Sequence, residues 1–374
     1  MPNLVHHALV LNLHQPAGNL QELMASETPE ILLALDRIPR SLWGYEDVAR
    51  VHFSISGTLL ETLNDPRFQE SVYGIVDCGS LLWHYQNLAL FRILGTGYYH
   101  PVLPLIPEDD RIEHLNRWLG IASHLFWRSD FQGFWPPEMG FCMEMIPMLE
   151  KAGYRYVLVD SEHVRPLESM SWQELHYRPH IANFNGSRIV IVVRDRELSN
   201  AQQSGMDFEW FSAETEARTR GCDFPPLVVT ATDGDNGGWF RNPEHSANFW
   251  GFYRNLLDEA RHSRSAIRPV FIEDYLDLHG ASGEVHVETG AWNTGWHHGR
   301  GFMQWTGSQS QKDALTRVNE VSRVLHEAKR TGRPMEEAMW RLLRAETSCN
   351  FFWGESWVHR AHRDLDESLA NLKR

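Results

Sequence analysis

Short apolar runs recur along the first three quarters of the chain, and each ends in polar, glycine or proline residues before a longer stretch compatible with a helix. This alternation is typical of βα units arranged around a parallel sheet. Near-continuous apolarity in several runs indicates strands that are buried on both faces. The predicted strands cover residues 8–13, 51–55, 73–76, 132–135, 154–159, 189–193 and 227–231, with residues 270–272 as a further candidate.

Beyond about residue 280 the apolar positions change to helical spacing. One amphipathic helix is predicted around residues 315–328, a second begins at Pro334, and a third carries Leu365, Leu369 and Leu372 on one face. We therefore expect an α/β barrel domain over residues 1–280 and a helical domain over residues 281–374, whose loops lie near the mouth of the barrel.

Polar residues follow most of the predicted strands, at the end of a barrel strand where catalytic groups are held. They are His14, Ser56, Glu138, Asp160, Arg194 and Asp233. Two of them are carboxylates in turn-rich segments, Gly133-Phe-Trp-Pro-Pro-Glu138 and Thr232-Asp-Gly-Asp-Asn-Gly-Gly238. Such a pair can cleave a glycosidic bond with retention, one acting as nucleophile and the other as general acid/base.

The spacing of Glu138 and Asp233 is compatible with a shared site. They are 95 residues apart (233 − 138), which corresponds to roughly three βα units of ~30 residues. The structural alternatives are a solvated surface acid at Glu138 and a plain turn at Asp233, because Asp-Gly and Asn-Gly are common turn formers. A calcium loop starting at Asp233 is a weaker alternative, since a strand-like run rather than a helix precedes it.

Several histidines and tryptophans lie in irregular, glycine- or proline-containing segments. We interpret His14, Gln15, His100 and Asp235 as polar contacts for a substrate, and Trp135, Trp292, Trp296 and Trp353 as rings that stack on sugar faces. The alternative for each tryptophan is a place in the core, and for each histidine a structural hydrogen bond.

Composition excludes several classes of function. The net charge of −14 disfavours a nucleic-acid partner, and the chain has no run of 18 apolar residues for membrane insertion. Four scattered cysteines and the absence of a leader-like N-terminus predict a cytoplasmic location. Signatures for zinc proteases, nucleophile elbows, phosphate loops and dinucleotide binding are absent, so no metal and no cofactor is expected.

Taken in order, the quoted segments resemble glycoside hydrolase family 57 over most of the chain. They are His14-Gln-Pro16, Gly97-Tyr-Tyr-His-Pro-Val-Leu-Pro104, the segment ending at Glu138, and the Asp233 loop. The resemblance implies an incomplete (β/α)7 barrel followed by a C-terminal helical bundle. It also implies a retaining mechanism with Glu138 as nucleophile and Asp233 as general acid/base. Many members carry Asp-x-Glu where this chain has Asp233-Gly-Asp235, which leaves Asp235 as an alternative acid.

The family resemblance implies an oligo- or polysaccharide substrate and amylase or 4-α-glucanotransferase chemistry on α-glucans. An α-galactosidase on the same scaffold is an alternative. Two further alternatives come from other classes: a catalytically silent carbohydrate-binding protein, and a metal-dependent enzyme that modifies polysaccharides. The second of these predicts a tightly bound metal ion.

Overall fold

The structure, a computed structural model, describes residues 4–23, 25–294 and 301–372. Within these residues the strands are β1 (Val5–Leu13), β2 (Val51–Ile55), β3 (Phe91–Leu94), β4 (Gly133–Phe134), β5 (Tyr156–Asp160), β6 (Val164–Pro166), β7 (His180–Phe184), β8 (Ser187–Arg194), β9 (Leu227–Asp233), β10 (Ile267–Pro269) and β11 (Val285–Val287). The α-helices are α1 (Thr28–Leu42), α2 (Gly57–Asn64), α3 (Pro66–Val72), α4 (Cys78–His84), α5 (Glu108–Phe126), α6 (Ile146–Lys151), α7 (Trp172–Tyr177), α8 (Arg196–Ser204), α9 (Phe208–Thr219), α10 (Gly237–Arg241), α11 (Phe249–Arg261), α12 (Ile272–His279), α13 (Met303–Thr306), α14 (Gln309–Arg330), α15 (Glu336–Ala345), α16 (Ser348–Phe352) and α17 (Glu355–Leu372).

The main sheet is a nearly closed parallel barrel with the strand order β3-β2-β1-β9-β8-β5-β4. A parallel bridge between Gly95 and Phe134 joins the two ends of this order. Its hydrogen bonds run from the Gly95 N–H to the Gly133 carbonyl and from the Trp135 N–H to the Gly95 carbonyl. β8 and β9 are likewise joined by one registered pair, Arg194 with Val229. The predicted (β/α)7 barrel is confirmed.

Side-chain alternation places the polar strand ends inside the barrel mouth. In β1, Leu9, Leu11 and Leu13 belong to the large core outside the sheet, whereas Ala8 and Val10 belong to the smaller core inside it. Because strand side chains alternate with a period of two, Asn12 and then His14 continue the inner row. Three other strands show the same alternation, and in each of them two apolar side chains on the inner face are followed by a polar one. These sets are Tyr156, Leu158 and Asp160 in β5; Val190, Val192 and Arg194 in β8; and Val229, Ala231 and Asp233 in β9.

The C-terminal helices follow the predicted pattern. Residues 315–328 lie within α14, whose apolar positions Val318, Val321 and Leu325 are buried. The second helix, α15, begins two residues after Pro334, and the third predicted helix is α17. The short helix α16 lies between them in the chain and starts at Ser348.

Two predicted strands are wrong. Residues 73–76 instead follow α3 as a turn, because the Ile75 and Val76 N–H groups donate back to the Val72 carbonyl rather than to a neighbouring strand. Tyr73 is 78% exposed there. Residues 270 and 271 lie between β10 and α12, and Ile272 is the first residue of α12. The strand after α4 is instead β3, which the apolar pattern did not single out. No helix in the described part of the chain is both long and apolar enough to cross a membrane.

Candidate active site

A pocket of about 350 Å³ opens at the carboxyl ends of the barrel strands. This volume lies in the range of pockets that hold small ligands. Glu138 and Asp233 both line it, so the fold brings the two predicted carboxyls into one site. The other lining residues are Asn12, His14, Gln15, Pro16, Asn19, Ile31, His100, Arg194, Asn200, Gln203, Asn236, Arg241, Trp292, Asn293, Cys349, Phe352, Trp353 and Trp357.

Glu138 lies in a single 3₁₀ turn, Pro137–Met139, that begins three residues after the end of β4, and it has a left-handed φ of 56°. Both carboxylate oxygens have a donor. The Trp292 indole N–H donates to Oε2 at 2.9 Å, and the Ser348 hydroxyl donates to Oε1 at 2.7 Å. The Trp292 backbone N–H also donates to the Glu138 carbonyl. The carboxylate is therefore held at both oxygens and at its own backbone.

Asp233 is the last residue of β9, and a chain of hydrogen bonds through the Asn12 side chain holds its carboxyl group. The Asn12 side-chain NH₂ donates to Asp233 Oδ1 at 2.9 Å, and the Ser54 hydroxyl donates to the Asn12 carbonyl oxygen at 2.9 Å. The Asn236 side chain provides a further hydrogen bond to Asp233. Three strands, β1, β2 and β9, therefore cooperate in placing this carboxyl group.

Burial makes both carboxyl groups hold protons more tightly than usual. It raises the pKa of Glu138 to about 7, and the nearby Asp233 charge adds to the rise while the Ser348 and Trp292 hydrogen bonds oppose it. Burial also raises the pKa of Asp233, against the effects of Asn12, Asn236 and the Arg194 charge. The Asp233 charge disfavours ionisation of Glu138, so the two carboxyl groups are electrostatically coupled.

His14 and His100 form a stacked pair in the pocket wall. Their ring centroids are 4.1 Å apart with an angle of 11° between the planes. Burial lowers the pKa of His14 to about 3 and lowers that of His100, where His14 adds to the effect. Both rings are neutral at physiological pH. The two imidazoles can therefore exchange hydrogen bonds with a neutral ligand without adding charge.

An ion network forms the wall beside Asp233. Arg194 Nη1 lies 2.5 Å from Asp160 Oδ2, and Arg196 Nε lies 2.6 Å from Asp160 Oδ1. The Arg194 guanidinium also lies 5.8 Å from the centre of the Trp292 ring. Arg194 therefore brings a fixed positive charge to the pocket while its own partner, Asp160, is fully buried.

Some of the remaining residues predicted to contact substrate line the pocket, and others lie behind its wall. Gln15, Trp292 and Trp353 line the pocket, and Trp353 is 56% exposed. Asp235 is fully buried; it accepts a hydrogen bond from Gln15 at 2.9 Å, and burial raises its pKa to about 7. Trp135 is also fully buried and packs edge-on against Trp292.

These placements change what two of the predicted residues can do. Trp135 has no free face for a sugar and instead supports the Trp292 ring. Asp235 lies under Gln15 rather than in the pocket lining. The predicted stacking residue Trp296 lies outside the described residues. Strand alternation explains why Trp135 is buried, because its side chain continues the row that points into the barrel, below the mouth.

Sequence reasoning missed several residues that carry the site. Asn12 had a usable signal, because a polar residue within a buried strand has to find a hydrogen-bond partner. Asn236 lies within the quoted Asp233 segment, three residues after the carboxyl group that it contacts. Ser348 and Cys349 had no comparable signal, since their places depend on how distant segments pack. In the described portions of the chain, no three His, Cys, Asp or Glu side chains are grouped so that they could hold a metal ion.

Comparisons with known proteins give relatives of several activities. The chain is 27% identical over 187 residues to an α-amylase of Pyrococcus horikoshii, covering 50% of this chain and 27% of the relative. It is 28% identical over 191 residues to a 4-α-glucanotransferase of Thermococcus litoralis, covering 50% of this chain and 26% of the relative. The matched part thus spans about a quarter of the length of these curated relatives.

Solved structures extend the likeness to nearly the whole chain. A family 57 branching enzyme from Pyrococcus horikoshii superposes with a TM-score of 0.76 at 16% identity, covering 97% of this chain and 88% of that one. The 4-α-glucanotransferase from Thermococcus litoralis gives 0.71 at 20% identity, covering 98% and 59%. The sequence model described as glycosyl hydrolase family 57 matches residues 28–288. The chain therefore belongs to glycosyl hydrolase family 57.

Proposed function

We propose that this protein is a retaining glycosidase or transglycosidase that acts on the α-glycosidic bonds of α-glucans. The observation that carries the proposal is the pair of carboxyl groups, buried Glu138 and partly buried Asp233, that line one pocket at the barrel mouth. Relatives named α-amylase, 4-α-glucanotransferase and branching enzyme support the choice of α-glucans. The proposed reaction is double displacement through a covalent glycosyl-enzyme.

In the first step, a Glu138 oxygen forms a bond to the anomeric carbon as the bond to the leaving oxygen breaks. Asp233 gives its proton to that leaving oxygen, which departs as an alcohol. In the second step, Asp233 takes a proton from water or from an acceptor sugar hydroxyl, whose oxygen displaces Glu138. This cycle begins with Glu138 ionised and Asp233 protonated.

The rest of the pocket suits a neutral sugar. Trp292 and Trp353 offer aromatic surface, and stacking against a sugar face is a common use of such rings in binding sites. Neutral His14 and His100, with Gln15 and Asn293, offer hydrogen bonds to hydroxyl groups. We further propose that residues 281–374 act as a helical domain that completes the cleft, because α16 and its flanks supply part of the lining.

The proposal is tested by incubating wild type, Glu138→Gln and Asp233→Asn with maltooligosaccharides and with p-nitrophenyl α-glucoside and α-galactoside. We expect both variants to lose about 10²- to 10⁴-fold or more in turnover of maltooligosaccharides. Products longer than the input indicate transfer, and shorter products alone indicate hydrolysis. Undiminished turnover by Glu138→Gln, or turnover of the α-galactoside alone, contradicts the proposal.

The p-nitrophenyl α-glucoside distinguishes the proposed roles of Glu138 and Asp233. A p-nitrophenolate leaves with little help from an acid, so Asp233→Asn should still form the glycosyl-enzyme but release it slowly. Azide needs no general base and should restore turnover of Asp233→Asn while leaving Glu138→Gln inactive. Trapping wild type with a 5-fluoro-α-glucosyl fluoride should label Glu138 by peptide mass. A label on Asp233 would reverse the two assignments.

A further inference from the structure

Ser348 connects the C-terminal helices to the proposed nucleophile. It is the first residue of α16, it is fully buried, and its hydroxyl donates to Glu138 Oε1 at 2.7 Å. The nearby His100 ring nitrogen lies 3.8 Å from the same oxygen, beyond hydrogen-bond distance. In the described structure Ser348 is therefore the direct donor to Oε1, and Trp292 is the donor to Oε2.

The position of Ser348 is held by the segment that leads into it. The Ser348 backbone N–H donates to the His100 carbonyl at 3.0 Å, and Thr347 forms an antiparallel bridge with Pro101. His100 itself has a left-handed φ of 57°. The loop after β3 and the start of α16 are thus joined by backbone contacts directly beside Glu138.

A buried network anchors the same segment from the other side. The Tyr99 N–H donates to His114 Nδ1, so His114 Nε2 carries the proton and donates to Glu346 at 3.0 Å. Burial and the neighbouring Asp110 raise the pKa of Glu346 well above its usual range. On α14, His326 lies 2.6 Å from Asp110. Charged or polar groups from α5, α14 and the segment before α16 therefore meet without solvent.

We propose that Ser348 is a positioning residue that orients the Glu138 carboxylate for attack, a role that rests on the proposed function. A planar carboxylate held at both oxygens cannot rotate about its last side-chain bond. Removing the donor at Oε1 leaves only the Trp292 contact and the backbone to hold it. Because the site around Ser348 is buried, water does not replace the lost hydroxyl without rearrangement.

The test compares Ser348→Ala, Ser348→Thr and Ser368→Ala by kcat, KM and their pH dependence on a substrate that wild type turns over. Ser348→Ala should lower kcat by about 10- to 100-fold, the usual effect of losing a hydrogen bond to a charged group, with little change in KM. The hydrogen bond favours the ionised carboxylate, so its loss raises the pKa of Glu138. The acid limb of kcat/KM should therefore move to higher pH.

Ser368→Ala is the matched control. Its hydroxyl is fully buried in the same helices and donates to the Ala338 carbonyl at 2.8 Å, but it does not line the pocket. It should leave kcat and the acid limb unchanged while showing the stability lost with a buried hydroxyl. Ser348→Thr keeps the donor and should recover most of kcat; it also keeps the test valid if Ser348→Ala does not fold.

The outcomes separate the two claims. Wild-type kcat and pH profile in a folded Ser348→Ala, or equal losses in Ser348→Ala and Ser368→Ala, overturn the positioning role. The 5-fluoro label tests the nucleophile independently of Ser348. A label on Glu138 combined with unchanged Ser348→Ala kinetics overturns only the positioning role, whereas a label on Asp233 overturns the proposed assignment of the acids.

Discussion

At the scale of single residues, backbone strain concentrates beside the proposed nucleophile. His100, Glu138 and Met139 all have left-handed φ values, which are rare for residues with side chains. Each such residue costs on the order of 1–3 kcal/mol, so surrounding contacts have to impose it. Here the 3₁₀ turn, the Trp292 backbone contact and the Ser348 segment do so. The strain aims the carboxylate into the pocket.

The raised pKa of Glu138 implies that ionisation of this carboxyl group lowers the stability of the fold. Its folded pKa of about 7 exceeds the usual 4.5. Below pH 4.5 the carboxyl is protonated in both folded and unfolded chains and contributes no difference. Between pH 4.5 and 7 the unfolded chain ionises while the folded carboxyl keeps its proton, so the unfolding free energy falls across this range and stays lower above it.

We therefore predict that Glu138→Gln is more stable than wild type at pH 8 but not at pH 4.5. The gain should reach at most about 3 kcal/mol, from 1.36 kcal/mol per pKa unit. Denaturant unfolding at the two pH values measures it, with the exposed Glu162→Gln as control. A gain of equal size at both pH values would show that packing, and not charge, is responsible.

At the scale of elements, alternation along the strands made much of the site predictable. His14, Asp160, Arg194 and Asp233 all stand where the inner row of a strand reaches the barrel mouth. The apolar pattern predicted these ends correctly because the strands are buried on both faces. It failed at residues 73–76, where a run containing tyrosine, isoleucine and valine closes a turn and leaves Tyr73 and Ile75 exposed, and it did not mark the four-residue β3.

Closure of the barrel between β3 and β4 depends on two glycines. A Cβ at Gly133 would lie 2.3 Å from Tyr156 Cζ, and a Cβ at Gly95 would lie 2.1 Å from the Tyr154 hydroxyl oxygen. Tyr156 is fully buried and donates to Glu273, so it has no room to withdraw. These positions exclude larger residues because the backbones of β3 and β4 approach each other under two tyrosine rings.

We predict that Gly133→Ala lowers the unfolding free energy by about 1–3 kcal/mol or more, as expected when a tight core is overfilled. Gly120→Ala is the matched control, since nothing lies within 4 Å of its Cβ position on α5. In a helix this change should add about 0.5–1 kcal/mol. Denaturant unfolding of both variants gives the comparison; equal and small effects would mean that the tyrosines relocate easily.

At the scale of the whole molecule, the site is assembled from residues 12 to 357. The site residues that the barrel provides lie at the carboxyl ends of its strands, and the sequence pattern predicts these positions. The contribution of Ser348 is not predicted in this way, because it depends on how the segment before α16 docks on the loop after β3. That docking depends on buried hydrogen bonds between residues more than 200 positions apart, such as His114 with Glu346. The local sequence around either residue does not predict such a pair.

Buried neutral histidines recur through the fold, so acid should destabilise the whole protein. Burial lowers the pKa values of His7, His14 and His114 to about 3, against 6.5 for an exposed histidine. A group whose pKa is lowered by folding binds protons more readily in the unfolded chain. Its stabilising effect is present above pH 6.5 and is lost as the pH falls towards the folded value.

His7 isolates this effect from catalysis, because it lies on β1 outside the pocket lining and contacts the Thr230 hydroxyl at 2.8 Å. When the pH is lowered from 7 to 5, the unfolding free energy should fall in both wild type and His7→Gln. The fall should be smaller in His7→Gln by up to about 2 kcal/mol, since glutamine binds no proton. The exposed His124→Gln should follow wild type. Parallel pH profiles for all three proteins would mean that His7 becomes protonated without unfolding, and that the acid limit of the fold is set by other groups.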